Sequence, residues 1–397
     1  MRTEERKRSA PGMVGRRLIH LDMLRGLAAM GVVLGHARSF VIVDYSAAGG
    51  GSLPVQALYF ATGLGHQCVI AFFALSGFVV GGPALRQILD GDWIWSRYFL
   101  KRITRLWVVL IPALLLTLGL DTAGEIMCGR AGYEGSFYHL INSGPAPLSP
   151  ADLSVSTLLA NILFLQTIIA PVFGTDGPLW SLANEFWYYV MFPFLMVGLF
   201  GGPRRSIRAL MGGVGIALVV LLPRELVLLG IIWIAGTIAY YTIHLVSRPR
   251  PTVWMLLLPI NLLLVAAAIV IDKYWPGVRS DLILGVAFSA MLPTLVLLPK
   301  FGRIYDGAAN SLSKISYTLY ATHFPVLAFI WFLAIAPHKW TVGPWAVGVM
   351  SLLVVAAVLS SSAMFWLFER NTDRVRNLIE STFLVRQPSG GRKPGGL

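Results

Sequence analysis

Charged side chains are scarce in this sequence: Asp, Glu, Lys and Arg make up 13% of its 397 residues, against about 25% in soluble domains. Hydrophobic residues account for 56% of the chain, and its mean hydropathy is +0.70. This balance excludes an ordinary soluble globular protein. Cysteine is also scarce, because only Cys68 and Cys128 occur. Two cysteines support neither a disulfide framework nor a cysteine metal site.

Acidic residues are the scarcer charge: 19 Asp and Glu stand against 32 Lys and Arg, so the net charge is +13. A basic balance can indicate nucleic-acid binding. Here, however, the basic residues lie in the tails and in short connections between apolar stretches, which is typical of cytoplasmic loops of membrane proteins. We therefore expect membrane lipid as a partner and no nucleic acid.

Ten apolar stretches of roughly 20 residues predict an all-α, polytopic transmembrane helical bundle. They lie near residues 20–43, 58–82, 99–120, 179–200, 206–222, 226–246, 252–271, 280–299, 312–335 and 344–368. An eleventh apolar stretch covers 154–172. Basic connections at 97–105, 204–208, 248–250, 300–314 and 370–376 should all be cytoplasmic. All five connections lie on the same side of the membrane only if residues 154–172 do not cross the bilayer. That stretch is therefore predicted to be a re-entrant or surface segment.

The chain is expected to hold one membrane domain. Residues 1–17 are a basic cytoplasmic tail, residues 18–372 form the transmembrane domain, and residues 373–397 form a cytoplasmic C-terminal tail. No small-residue cleavage site follows the first apolar stretch, so we expect a retained helix. Both termini would then be cytoplasmic, and loops 44–57 and 121–178 would face outward.

Ionisable side chains inside spanning helices are costly and usually mark a site or a buried pair. The first helix carries Asp22, Arg25 and His36. Arg25 and His36 are eleven residues apart, about three turns and roughly 16 Å, so they share one face. An ion pair with Asp22 would explain Arg25 but leave His36 unexplained.

Four further segments combine polar residues with membrane positions. Ser76 and Gly77 in FFALSGF predict close helix packing. Arg97, Lys101, Arg102 and Arg105 are either positive-inside anchors or a phosphate clamp. Glu185 follows Trp180 near the predicted outer boundary and needs a partner. Ser316, Tyr320 and His323 lie on one helical face, as a packing cluster or as a site.

Taken together, these segments resemble acyltransferase family 3, polytopic enzymes that O-acylate bacterial cell-surface sugars and related compounds. Five segments match in order: Arg25 to His36 with Asp22, the FFxLSGF motif at 72–78, the basic pattern of Lys101, Arg102 and Arg105, WSLxxE at 180–185, and SYxLYxxH at 316–323. A family-like closing motif follows at 368–370. The sequence departs from the family pattern at Val108, Ile70 and Asn371, which concerns local helix geometry rather than the reaction.

The resemblance implies an acyl-CoA-dependent O-acyltransferase of a bacterial plasma membrane. It would move an acyl group, usually acetyl, to a hydroxyl of a cell-surface polysaccharide, lipopolysaccharide or other glycan. The expected donor is acyl-CoA, with no permanently bound cofactor and no metal. The acceptor would be a glycan or a lipid-linked sugar.

The hypothesis for the site assigns four roles. His36 is the general base, Arg25 holds the donor, Glu185 orients the acceptor or a charged His36, and His323 is a second candidate base. The expected phosphate contacts are Arg97, Lys101, Arg102 and Arg105, and the expected substrate contacts are Trp180, Ser181 and Tyr320. A proton-coupled or anion secondary transporter is the alternative function, and a structural membrane protein is a third.

Overall fold

A computed structural model describes residues 18–137, 139–141, 150–202, 204–245 and 251–383, except the side chains of 244, 245, 251 and 383. The described residues are helical, and their only strand pairing is three isolated bridges. The helices are α1 (Ile19–Val41), α2 (Leu53–Thr62), α3 (Gly65–Ser76), α4 (Gly82–Asp90), α5 (Trp95–Cys128), α6 (Val155–Ile162), α7 (Trp180–Phe200), α8 (Arg205–Leu221), α9 (Arg224–Leu245), α10 (Pro251–Tyr274), α11 (Val278–Leu297), α12 (Arg303–Ala334), α13 (Pro344–Leu367) and α14 (Thr372–Phe383).

The predicted all-α membrane bundle is confirmed. In the described part of the chain, seven helical stretches are long and apolar enough to cross a bilayer: Leu53–Asp90, Trp95–Cys128, Arg224–Ile243, Thr252–Tyr274, Val278–Leu297, Arg303–Ala334 and Pro344–Thr382. Each of the ten expected stretches contains a helix, but α1, α7 and α8 are outside that set of seven. The exact number of crossings therefore stays a prediction.

The second expected helix differs from its predicted bounds of 58–82. A turn at Gly63 and Leu64 separates α2 from α3, and a π-helical turn at Gly77–Gly81 joins α3 to α4. This turn occurs where α9 comes very close. A Cβ added to Gly77 would lie 1.8 Å from the carbonyl oxygen of Trp233. The close packing predicted for this motif is thus present, and it requires glycine.

The long helices run between two ends of the bundle. At the first, His20 at the start of α1 bonds Tyr305 near the start of α12 and the carbonyl of Pro299 after α11. We call this the basic end, because the exposed Lys300 lies on its connection between α11 and α12, and the exposed Arg97 and Arg303 lie at the starts of α5 and α12. At the other, the loop end, Ile42 after α1 pairs with Trp340 between α12 and α13.

The stretch 154–172 forms no long helix. Its one helix, α6, has eight residues and rises about 12 Å, far less than a bilayer core of about 30 Å. The chain then folds back, and the Asn161 side chain accepts a bond from the Phe173 backbone N–H. Asp121 of α5 accepts bonds from the backbone N–H and the hydroxyl of Thr175. These contacts attach the segment to the loop end, as a re-entrant or surface segment requires.

The central helix of the bundle is α12, which packs against α1, α5 and α13. Its close approach to α1 depends on Gly26, where an added Cβ would lie 2.5 Å from the Cβ of Leu312. Residues 1–17, the predicted N-terminal tail, and residues 384–397 of the predicted C-terminal tail lie outside the described residues. Within the predicted C-terminal tail, the chain forms α14.

Candidate active site

Two cavities enter the bundle and meet near its middle. The first, about 420 Å³, is lined by residues of α1, α3, α5, α7 and α12, including Asp22, Arg25, Phe72, Ser76, Arg102, Arg105, Ser181, Glu185 and Tyr317. The second, about 670 Å³, is lined by residues including His36, Arg38, Ser39, His66, Pro178 and Trp180. We call them the basic-side and loop-side cavities. Val69 and Tyr320 line both, so these side chains form the wall between them.

The basic-side cavity offers free cationic donors. Arg25 bonds Asp22 at 3.0 Å, yet its buried Nε has no partner. The buried Nε of Arg102 also lacks a partner. Arg105 faces the cavity and makes no hydrogen bond or ion pair with any described residue. Guanidinium groups with unused N–H donors are suited to bind an anion with several oxygens, such as phosphate.

Arg97 and Lys101 differ from this pair. Neither of them lines either cavity. All four residues lie within three turns of α5, but Arg102 and Arg105 are on the side that faces α1, α7 and α12. The structure therefore brings half of the predicted phosphate cluster to the cavity and leaves the other half at the basic end.

Glu185 also lies on the basic-side cavity, which differs from the expected outer position near His36. The Ser76 hydroxyl donates to Glu185 at 2.7 Å, and the Tyr189 hydroxyl also donates to it. Its depth follows from the chain before α7, which covers the start of that helix. Phe164 stacks on Phe186 with ring centroids 4.3 Å apart. The start of the apolar stretch of α7 is consequently covered by protein, and Glu185 lies deeper than its place in the sequence predicts.

His36 and His323 form a pair on the other side of the wall. Their ring centroids are 5.2 Å apart, and His36 lines the loop-side cavity. His323 is completely buried, with Nδ1 facing the carbonyl oxygens of Leu319 and Tyr320 at 3.0 and 2.9 Å. Carbonyls only accept, so Nδ1 carries the proton and Nε2 keeps its lone pair. That Nε2 has no partner in the described residues. The lone pair on Nε2 of His323 is therefore available to accept a proton or a hydrogen bond.

Arg25 and His36 thus line different cavities. They share the inward side of α1, as the spacing predicts, but Arg25 lines the basic-side cavity and His36 the loop-side one. The rise of roughly 16 Å between them crosses the wall. A molecule bound at Arg25 must reach past Tyr320 to meet the histidines.

The wall itself is held by hydrogen bonds. The Tyr320 hydroxyl donates to the carbonyl of Pro178 at 3.0 Å, which leaves it to accept from the Ser181 hydroxyl at 2.6 Å. Ser181 lines the basic-side cavity, whereas its neighbour Trp180 lines the loop-side one. The three predicted substrate contacts therefore meet at the junction of the cavities.

Several residues of the site were not singled out from the sequence. Tyr189 binds Glu185, and Tyr317 lines the basic-side cavity with a buried hydroxyl that has no partner. Glu369 accepts bonds from the backbone N–H and the hydroxyl of Thr318 and is an electrostatic neighbour of Arg25 and Arg105. In the sequence, the closing motif at 368–370 pointed to Glu369. No motif pointed to Tyr189 or Tyr317, which only share helices with other polar residues.

A family model described as an acyltransferase domain matches residues 18–362. The chain belongs to acyltransferase family 3. The match includes every residue that lines either cavity, whereas Glu369 and α14 lie beyond it. Comparisons with curated proteins and with solved structures return no match. As a family 3 member with several apolar helices, the protein is a multi-pass membrane acyltransferase.

Proposed function

We propose that the protein transfers an acyl group, usually acetyl, from acyl-CoA to a hydroxyl of a bacterial cell-surface polysaccharide, lipopolysaccharide or other glycan. It would lie in the plasma membrane with the basic end and both termini in the cytoplasm. One observation carries this proposal: a cavity with unused arginine donors and a cavity with a histidine pair enter from opposite ends and share the wall of Val69 and Tyr320.

The donor would enter from the basic end. Its phosphates would bind Arg102 and Arg105, with Arg25 deeper in the same cavity. Phe72, Phe73 and Val79 supply an apolar surface for the pantetheine arm. Glu185, held by Ser76 and Tyr189, would act as a counter-charge that orients Arg105, rather than as a contact of the acceptor.

The acceptor would enter from the loop end. The loop-side cavity presents His36, Arg38, Ser39 and His66, which can donate and accept hydrogen bonds with sugar hydroxyls. Because His36 faces this cavity, it is the better placed of the two histidines to contact an acceptor hydroxyl. His323 would sit behind it as a fixed acceptor.

The reaction follows from these positions. His36 takes the proton of the acceptor hydroxyl as its oxygen attacks the thioester carbonyl carbon, forming the ester C–O bond. The C–S bond breaks, and the proton passes from the imidazolium to the departing thiolate to give free CoA. The lone pair on His323 Nε2 would stabilise the protonated ring of His36.

Two cavities that enter from opposite ends also suit a secondary transporter, the alternative function. Membership of an acyltransferase family favours acyl transfer. The two functions separate experimentally, because only transfer leaves a covalently acylated product.

The test uses purified protein in lipid nanodiscs with labelled acetyl-CoA and a surface glycan from the source cells. We expect transfer that His36→Gln lowers by roughly 100-fold or more, since the amide hydrogen-bonds but does not exchange protons. Mass spectrometry of glycans from cells with and without the gene should show an acyl-sized difference. Wild-type rates in the variant, with equal folded protein, would remove His36 from the mechanism.

A further inference from the structure

Three potential metal ligands meet at the loop end, and one of them, His66, also lines the loop-side cavity. His66 lies in the first turn of α3, Asp272 lies near the end of α10, and Asp281 lies in the first turn of α11. Their ligand atoms all lie within 4.8 Å of one another. The consecutive helices α10 and α11 and the sequence-distant α3 therefore bring two carboxylates and one imidazole close together.

The two carboxylates are buried, and their side-chain partners in the described residues are Ser280 and Gln67 at Asp272 and the imidazole of His66 at Asp281. Asp272 is 3% exposed and Asp281 5%. Neither forms an ion pair with any lysine or arginine in the described part of the chain. Lys273 is next in sequence, but its amine donates to the carbonyl of Gly63 instead. Buried carboxylates are costly unless they are paired or coordinate a metal, so a bound cation would remove that cost.

An independent observation comes from Gln67. This residue is 5% exposed, and its amide lies against the cluster, with Nε2 donating to Asp272 at 2.5 Å. The amide oxygen is buried and has no hydrogen-bond partner. Buried polar oxygens are nearly always satisfied. A rotation of the Gln67 amide by about 180° would exchange its oxygen and nitrogen. The oxygen would then lie beside Asp272, where a bound cation would coordinate it.

We propose that His66, Gln67, Asp272 and Asp281 bind one divalent cation at the loop end. One imidazole nitrogen with three oxygen donors suits Mn²⁺ or Zn²⁺, because imidazole favours transition metals and carboxylates are hard ligands. The imidazole of His66 would leave Asp281, which it now contacts at 2.6 Å, and turn to the metal. Since His66 lines the loop-side cavity, a coordination position would stay open to water or to a ligand in that cavity.

The test of this site is independent of acyl transfer, because metal occupancy is measured without donor or acceptor. Tag-free protein in detergent is stripped with chelator and titrated with MnCl₂ and, separately, ZnCl₂, with calorimetry and Mn²⁺ EPR as readouts. We expect one equivalent to bind. His66→Gln should weaken binding about tenfold or more, and Asp281→Asn should weaken it further.

Two matched variants control for adventitious binding at exposed groups of the loop end. His338→Gln and Asp44→Asn change exposed residues there and should bind as the wild type does. If Asp281→Asn fails to fold, His66→Gln decides alone, because the His66 side chain is 48% exposed on the cavity surface. No binding up to about 1 mM metal, or equal affinity in wild type and His66→Gln, would overturn the proposal and leave a plain His66–Asp281 hydrogen bond.

Discussion

The imidazoles of His36 and His323 lie 5.2 Å apart by ring centroid, although they belong to the first and the twelfth helix. Their meeting depends on the close packing of α1 on α12, which Gly26 permits. His36 faces the loop-side cavity, while His323 is enclosed behind it with an unpartnered Nε2. The pair has one member open to substrate and one whose tautomer is set by the backbone.

That arrangement predicts that His323 is needed for turnover and not only for packing. In His323→Gln, the amide can still donate to the backbone carbonyls but no longer offers a basic nitrogen toward His36. We expect kcat to fall roughly 100-fold with the donor KM nearly unchanged. Initial rates at equal folded protein measure this. His20→Gln is the matched control, since His20 bonds Tyr305 away from both cavities; equal rates in the two variants would contradict the role.

A second prediction separates the arginines of α5. Arg102→Ala and Arg105→Ala should each raise the donor KM by about tenfold or more, because a charge-assisted bond is worth roughly 1.5–3 kcal/mol. Arg97→Ala and Lys101→Ala remove equal charge from positions that line neither cavity and should stay within about twofold of wild type. Donor kinetics with varied acetyl-CoA provide the measurement. If all four variants behave alike, the cluster acts through net charge and topology alone.

A third prediction concerns the wall at Tyr320. Tyr320→Ala joins the two cavities and should let water reach the thioester, so hydrolysis of acetyl-CoA relative to acyl transfer should rise about tenfold. Tyr320→Phe keeps the ring but loses the bonds to Ser181 and Pro178, and its ratio should stay near that of wild type. Free CoA and acylated product are measured together. If the ratio of hydrolysis to transfer rises equally in both variants, the hydroxyl of Tyr320 and not its ring keeps water from the thioester. If the ratio rises in neither variant, Tyr320 is not a barrier to water.

A fourth prediction tests the packing of the π-helical turn at Gly77–Gly81 against α9. Gly77→Ala places a Cβ 1.8 Å from the Trp233 carbonyl, and backbone cannot move aside cheaply. We expect a destabilisation of about 2 kcal/mol or more, measured by thermal unfolding in detergent and by the monodisperse yield. Gly119→Ala is the matched control, since a Cβ there meets nothing within 4 Å. It should be neutral or slightly stabilising; similar losses in both would contradict this account.

The fifth prediction is topological. With Cys68 and Cys128 replaced, Ser156→Cys should react with an impermeant maleimide in intact cells. Arg204→Cys should react only after permeabilisation, because the basic connections are expected to be cytoplasmic. Both positions are exposed. Labelling of both from outside would refute the ten-crossing arrangement.

Much of the fold follows from the sequence because hydropathy and helical periodicity are properties of single helices. Apolar length predicts the bundle, and the charge of the connections predicts that 154–172 does not cross; its eight-residue helix agrees. The spacing of Arg25 and His36 places both on the inward side of α1. The family signature depends on the same short-range patterns, and the family match bears it out.

The division of the site was decided by the tertiary structure. Nothing local distinguishes Arg97 from Arg105, which differ only in the helices that surround them. Glu185 lies near the predicted outer boundary along the chain, but the segment before α7 covers that boundary and leaves it beside Ser76. His66, Asp272 and Asp281 each lie at a helix end, where a single polar residue is ordinary. Contacts between helices distant in sequence depend on side-chain shape and close backbone approach, and the hydropathy pattern of any one helix contains neither.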